Sequence, residues 1–244
     1  MLRDHLISDR LRGEAGFRWR GREISRVEGF SDAVFAFAVT LLVVSLEVPK
    51  TYHELMAAMR GFAAFGACFA LLANLWFQHY RFFRRYGLQD SWSVILNCVL
   101  LFFVLFYVYP LKFLFLTWFG DARMMELAEV RTIFIIFGGG FAAVFLVFAL
   151  LNLHAWQVRE ELQLNELEEM KTLHQLANHV AMVLVGLLSI VLAVSLPLNL
   201  VGLAGYFYAL IGVYFWVSGT FFGNRERSLS AKGLSAAPAA ESPQ

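Results

Sequence analysis

Apolar residues in this chain fall in blocks of about twenty, separated by short polar or proline-bearing breaks. A helix of that length crosses a hydrocarbon core of about 30 Å. Six blocks stand out: 27–48, closed by Pro49; 55–80, followed at once by Arg81, Arg84 and Arg85; 91–119, with Pro110 inside it; 133–156; 176–196; and 200–223, after the turn Pro197-Leu198-Asn199. Each is apolar all round rather than striped, as a membrane helix is and a soluble surface helix is not. The pattern predicts an all-α, polytopic membrane protein with six transmembrane helices. A basic arm (1–26) precedes the spanning domain (27–223), and a tail (224–244), rich in Ser, Ala and Pro, reads as disordered.

Composition agrees with the pattern. Hydrophobic residues make up 59% of the chain and charged residues 16%, against roughly half and about a quarter in soluble domains. Net charge is only +1, but the distribution carries information. The arm, the 81–90 loop, the 157–175 segment and the tail hold most of the Lys and Arg, and six spans place them on one side. Because Lys and Arg resist translocation, that side is the cytoplasm, with both termini on it. A bacterial cell membrane is the expected location. Cys68 and Cys98 lie inside apolar blocks and read as packing residues rather than as a disulfide or zinc framework. The first block is too long for a signal-peptide core.

The first span opens with Arg26-Val-Glu-Gly-Phe30-Ser31-Asp32 and continues as an apolar helix through Thr40, Leu41 and Val44. A carboxylate here is costly, by roughly 2.5–3.5 kcal/mol at a span's centre, so Asp32 needs a partner or water. Arg26, six residues earlier, is the nearest candidate in sequence. The alternative leaves Asp32 at the headgroups, favoured by the helix N-terminus. At 100° per residue Phe37, Leu41, Val44 and Val48 form one stripe, with Thr40 about 60° from Phe37. Taken alone, such a stripe is explained by packing or lipid contact.

The string Arg26…Phe30-Ser31-Asp32, followed by an apolar helix with Thr40-Leu41-Leu42, resembles the first-helix signature of the transmembrane protein 175 family of potassium channels. Leu72-Ala-Asn74-Leu-Trp76-Phe-Gln-His79-Tyr80-Arg81 is similar to that family's second helix, with its Trp and His. The resemblance is to bacterial members with one six-helix unit per chain, and it covers residues 20–223. It implies a homotetramer whose first helices line a central K⁺ pathway. Phe37, Leu41 and Val44 would form an apolar constriction, with Thr40 beside them. It also implies that Arg26, Ser31, Asp32, Trp76 and His79 form a buried network that holds the pore helix without touching the ion. The family carries an aliphatic residue where this chain has Phe37, so the ring either occludes the axis or offers a π-face to a cation. No Thr-Val-Gly-Tyr-Gly string is present to build a carbonyl filter.

Other features have plainer readings. Two rival functions fit the hydropathy: an ion-coupled secondary transporter, which would need discontinuous helices around a midplane site, and a non-conducting scaffold or sensor. No nucleophile elbow, His-Glu-x-x-His or paired intramembrane carboxylates occur, so no enzyme, metal site or cofactor beyond permeant K⁺ is expected. The acidic stretch Glu160–Glu169 reads as solvated. Lys112 is expected to extend to the outer interface. Gly138-Gly139-Gly140 and the pair Gly219 and Gly223 are expected at close helix contacts. The basic arm suits anionic lipid, not nucleic acid.

Overall fold

Helix starts follow from local side-chain chemistry, because the first N–H groups of a helix have no partner within it. Ser25 and Glu28 form a reciprocal cap: the Glu28 N–H donates to Ser25 Oγ (3.1 Å) and the Ser25 N–H to Glu28 Oε2 (2.8 Å). Helix α1, Arg26–Val44, begins there. After α2 (Tyr52–Tyr86), Asp90 opens α3 (Ser91–Phe119) by accepting from the N–H groups of Trp92 and Ser93. α4 spans Leu127–Gln157. Asn165 and Glu168 make a second capping box at the start of α5, Glu166–Ser195. A 3-10 turn, Leu198–Leu200, leads into a further apolar helical run to Gly212.

These elements belong to a computed structural model that describes residues 17–21, 23–44, 50–119, 127–212, 214–215, 218–220 and 222–223. Among these residues the fold is all helical, and four helices are long and apolar enough to cross a membrane: Phe62–Tyr86, Ser91–Leu114, Glu129–Gln157 and Glu166–Ser195. α1, with 19 residues, is shorter. The residues closing the first span, Val48 among them, residues 1–16 of the arm and the whole tail 224–244 lie outside the described residues.

Two expectations need correction here. The fifth helix does not start at 176: it starts at Glu166, so the charged segment 157–175 is partly helical. Nor is its acidic face wholly solvated: Glu168 is 1% exposed. It accepts the Arg18 N–H (2.7 Å) and the Arg20 guanidinium (2.7 and 3.2 Å), besides capping its own helix. A strap of residues 17–21 therefore crosses the end of the bundle. Phe17 is buried against Tyr86, and the N–H groups of Arg20 and Gly21 bond to the carbonyls of Arg85 and Arg84.

α1 packs on α2 and α3, α3 packs on α4, and α4 and α5 share the most extensive interface. A continuous apolar core runs from Leu72 and Phe83 on α2 through Leu100 and Val104 on α3 to Phe148 and Leu151 on α4. In lipid, burial away from water is not what joins helices; close packing is. Gly138 and Gly186 supply it for α4 and α5. A Cβ on Gly138 would meet the Gly186 carbonyl at 3.0 Å, and one on Gly186 would meet the Gly138 carbonyl at 3.0 Å. Gly140 makes room for the Tyr107 ring. Gly139, Gly219 and Gly223 face open space among the described residues, so the expected contact at the last pair is not made there.

Candidate functional site

α1 has two dissimilar faces. Ser31, Phe35, Ala38 and Leu42, at spacings of three and four, are buried against α2 and α3. The opposite face carries Gly29, Phe30, Ala33, Ala36, Phe37 and Thr40, all exposed, with Phe37 at 55%. Leu41 sits at the boundary, half-buried and packed against the core. The open face is thus centred closer to Thr40 than the Phe37–Leu41–Val44 stripe suggested. The backbone of Val44 belongs to α1, but its side chain lies outside the described residues.

Exposed faces in this molecule differ in kind. α3 shows Ile95, Phe102, Phe106, Tyr109 and Phe113 outward, a bulky surface suited to acyl chains. The α1 face alternates small residues (Gly29, Ala33, Ala36) with two phenyl rings (Phe30, Phe37) and one hydroxyl, and small residues at such spacing let helices approach closely. The Thr40 hydroxyl donates to the Ala36 carbonyl at 2.9 Å. Its proton is thereby committed, and its oxygen lone pairs remain as acceptors on the open face.

Behind that face lies a buried polar chain. His79 Nε2 stands 2.8 Å from Asn97 Oδ1, Asn97 Nδ2 donates to Ser31 Oγ at 2.9 Å, and the Ser31 hydroxyl donates to the Val27 carbonyl at 2.7 Å. Because the amide oxygen can only accept, His79 carries its proton on Nε2. All three side chains are at most 1% exposed, and the His79 ring lies between Phe35 and Phe83. The chain joins α1, α2 and α3 with each bond made, as burial of polar groups demands.

The five expected network residues do not form one cluster. Ser31 and His79 are joined through Asn97. Asp32 is separate: it accepts the Trp76 indole N–H at 2.8 Å on the exposed side, and Trp76 stacks on Tyr80. Arg26 is exposed and is not Asp32's partner. Six residues are about 120° around a helix, so the two side chains leave α1 in different directions. The guanidinium near this helix start is Arg84, 3.8 Å from Glu28. Asn97 was overlooked in the sequence, although a carboxamide inside the very apolar span 91–119 is itself a signal of an interhelical bond. The Ser25…Glu28 spacing was likewise a legible cap.

Lys112 has a partner on another helix: its ammonium donates to the main-chain carbonyl of Leu42, in the last turn of α1, at 2.9 Å. The turn of α1 beside Leu41 is thereby tied to α3.

Comparison with known proteins places this arrangement. The sequence profile of the family described as endosomal/lysosomal potassium channel TMEM175 matches residues 26–110, from the start of α1 to Pro110 on α3. A potassium channel of Marivirga tractuosa is 36% identical over 233 residues, covering 87% of this chain and 93% of that protein. A potassium channel of Chamaesiphon minutus is 30% identical over 141 residues, covering 54% of this chain and 66% of its own length. The crystal structure of the potassium channel MtTMEM175, in a variant form bound to a nanobody–MBP fusion, aligns with a TM-score of 0.75 at 34% identity, covering 87% of this chain and 99% of that one. These relatives are channels and not enzymes. With the family profile, a near full-length relative and a solved channel structure in agreement, this chain belongs to the TMEM175 family of potassium channels.

Proposed function

We propose that the chain conducts K⁺ passively as a homotetramer, with the open face of α1 lining a pore on the fourfold axis. The observation that carries this reading is the contrast between α1 and the other outward surfaces. Its uncovered face sets Gly29, Ala33, Ala36 and Thr40 between the rings of Phe30 and Phe37, where α3 offers a continuous row of bulky side chains to lipid. Small residues permit four helices to converge, and a lipid-facing helix has no need of them. The potassium-channel relatives support the choice of ion.

Phe37, Leu41 and Val44 form the constriction in this reading. A narrow apolar ring dewets, and an ion cannot shed its water there without compensation, so the closed pore is shut by dehydration rather than by a plug. Thr40 places oxygen acceptors on the same face and gives partial replacement of hydration water. The chain His79–Asn97–Ser31 and the bond from Trp76 to Asp32 hold α1 in place from behind and beside the pore. In this reading the six apolar blocks are six spans in a bacterial cell membrane, and the arginines gathered at one end put both termini in the cytoplasm. Residues 1–16 and the tail then face anionic headgroups and cytosol.

Reconstituted in liposomes, the purified protein should pass K⁺ down its own gradient with no second ion supplied. Flux that appears only with a proton or sodium gradient would replace the channel by a carrier. Cross-linking in the same vesicles should stop at four subunits.

A further inference from the structure

Lys112 lies two residues before the end of the apolar span Ser91–Leu114. A lysine so placed ordinarily runs its four-carbon stem outward and leaves the ammonium in the interface. Here Nζ donates to the Leu42 carbonyl, in the last turn of α1, at 2.9 Å. Leu42 is 1% exposed and belongs to the α1 face turned into the bundle, opposite Phe37 and Thr40. Its neighbour Leu41 is half-buried against the core and borders the open face. Two residues before Lys112, Pro110 interrupts α3. Proline has no N–H to return to the Phe106 carbonyl, so the helix has a joint immediately before the clip. A charged donor on a carbonyl is a strong bond, and the carbonyls of a helix's last turn have no partner within the helix, so this one ties the end of α1 to α3.

We propose that Lys112 is a positioning residue for conduction: its ammonium, bonded to the Leu42 carbonyl, sets the tilt of the half of α1 that bears Phe37, Thr40 and Leu41. The proposal rests on α1 lining the pore. Without the clip that half of α1 shifts relative to α3, and the balance between closed and open rings changes. The open pathway itself is unaltered, because the Lys112 side chain stands behind α1 and not on its open face.

The test records single channels of the full-length protein in planar bilayers. The wild type is compared with Lys112→Met, Lys112→Arg, Phe37→Ala and the Lys112→Met/Phe37→Ala double variant. Lys112→Met should change open probability by about threefold or more at unchanged unitary conductance. Lys112→Arg, which keeps a charged donor, should restore the wild-type value. In the Phe37→Ala background the Met substitution should have little further effect, because the ring whose position it controls is gone. Wild-type open probability in Lys112→Met overturns the proposal, and so does an equal effect in both backgrounds. Where Lys112→Met does not assemble, Lys112→Gln, with an uncharged N–H donor, takes its place and should gate like the wild type; altered gating in that variant overturns the proposal. A wild-type protein that passes no K⁺ overturns the channel reading and this proposal together. A conducting wild type with an indifferent variant overturns this proposal alone.

Discussion

In the pore proposed here, with α1 lining it, the phenyl ring at position 37 governs how the constriction opens. Phe37 is exposed on the monomer and turned away from the core, so its rotamers are limited only by α1 itself and by whatever meets that face. Four such rings around an axis close it more completely than aliphatic side chains, yet each swings about two χ angles. Phe37→Ala should therefore raise resting K⁺ flux severalfold, measured in liposomes at matched protein content, while the tetramer persists. A conducting tetramer with unchanged flux would move the constriction to another ring. That Phe37 and Thr40 share an exposed side of α1 was legible in the sequence, because it depends on one helix's own geometry. The partner of Asp32 was not. Arg26 was close along the chain, but the wheel sends it elsewhere, and the partner, Trp76, comes from α2.

At the scale of the element, α3 has most to organise. It supplies Asn97 to the buried polar chain, Lys112 to α1, Pro110 as a joint, and a bulky face to lipid. Its start is fixed by Asp90, which also accepts from the Ser93 hydroxyl at 2.6 Å and lies 3.0 Å from His154 Nε2 on α4. Burial pushes the Asp90 carboxyl up, but the hydrogen bonds from Ser93 and His154 outweigh it and hold the group below its ordinary value of 3.8. The native state thus binds this proton less readily than the unfolded chain. The resulting stability is present above the ordinary value and is lost as pH falls through the lowered native one. Asp90→Ala should cost about 1 kcal/mol as a lost cap and charge partner at pH 7. That corresponds to roughly 2–4 °C in thermal midpoint for a chain of this size. The gap between variant and wild type should narrow below about pH 4. A gap that stays constant down to pH 2 would mean the carboxylate's charge contributes nothing. Element boundaries were legible at 91 and at Pro197. The helix read as ending at 80, before an 81–90 loop, instead continues through the arginines to Tyr86, because their long stems extend the helix past the apolar block. A boundary was also missed at Glu166, where an acidic segment concealed a helix whose cap, Asn165 with Glu168, was written in its sequence.

For the whole molecule, the strap of residues 17–21 is the least expected feature. α1, α2 and α3 form one packed group, and α4, α5 and the following helical run another, with α3 on α4 as the main contact between them. The strap adds a second tie. Arg20 donates to Glu168 and to the carbonyls of Leu162 and Gln163, while its own N–H and that of Gly21 bond to the end of α2. The Arg20–Glu168 pair is 11% and 1% exposed, so removing one member leaves a buried charge behind. Glu168→Ala should destabilise the protein by on the order of 3–5 kcal/mol. Arg20→Met/Glu168→Met should cost less than the two single changes summed. Thermal unfolding followed by size-exclusion fluorescence reads both. Additive losses would mean that the two groups do not sense each other.

Much of this protein was settled by its sequence alone. Runs of twenty apolar residues admit no other structure in a bilayer than helices, because every backbone polar group there must be satisfied within its own segment. Arginine placement, a lone carboxylate and a repeating stripe are likewise properties of one strand of chain. What only the tertiary structure decided is which groups on different helices meet: Asn97 between His79 and Ser31, Lys112 on Leu42, Glu168 on Arg20. Those pairings cross between elements far apart in the chain, and no helical period encodes them. They depend on the rotation and crossing of packed helices, which are set by the close approach of residues such as Gly138 and Gly186 and by the need to leave no buried polar group without a partner.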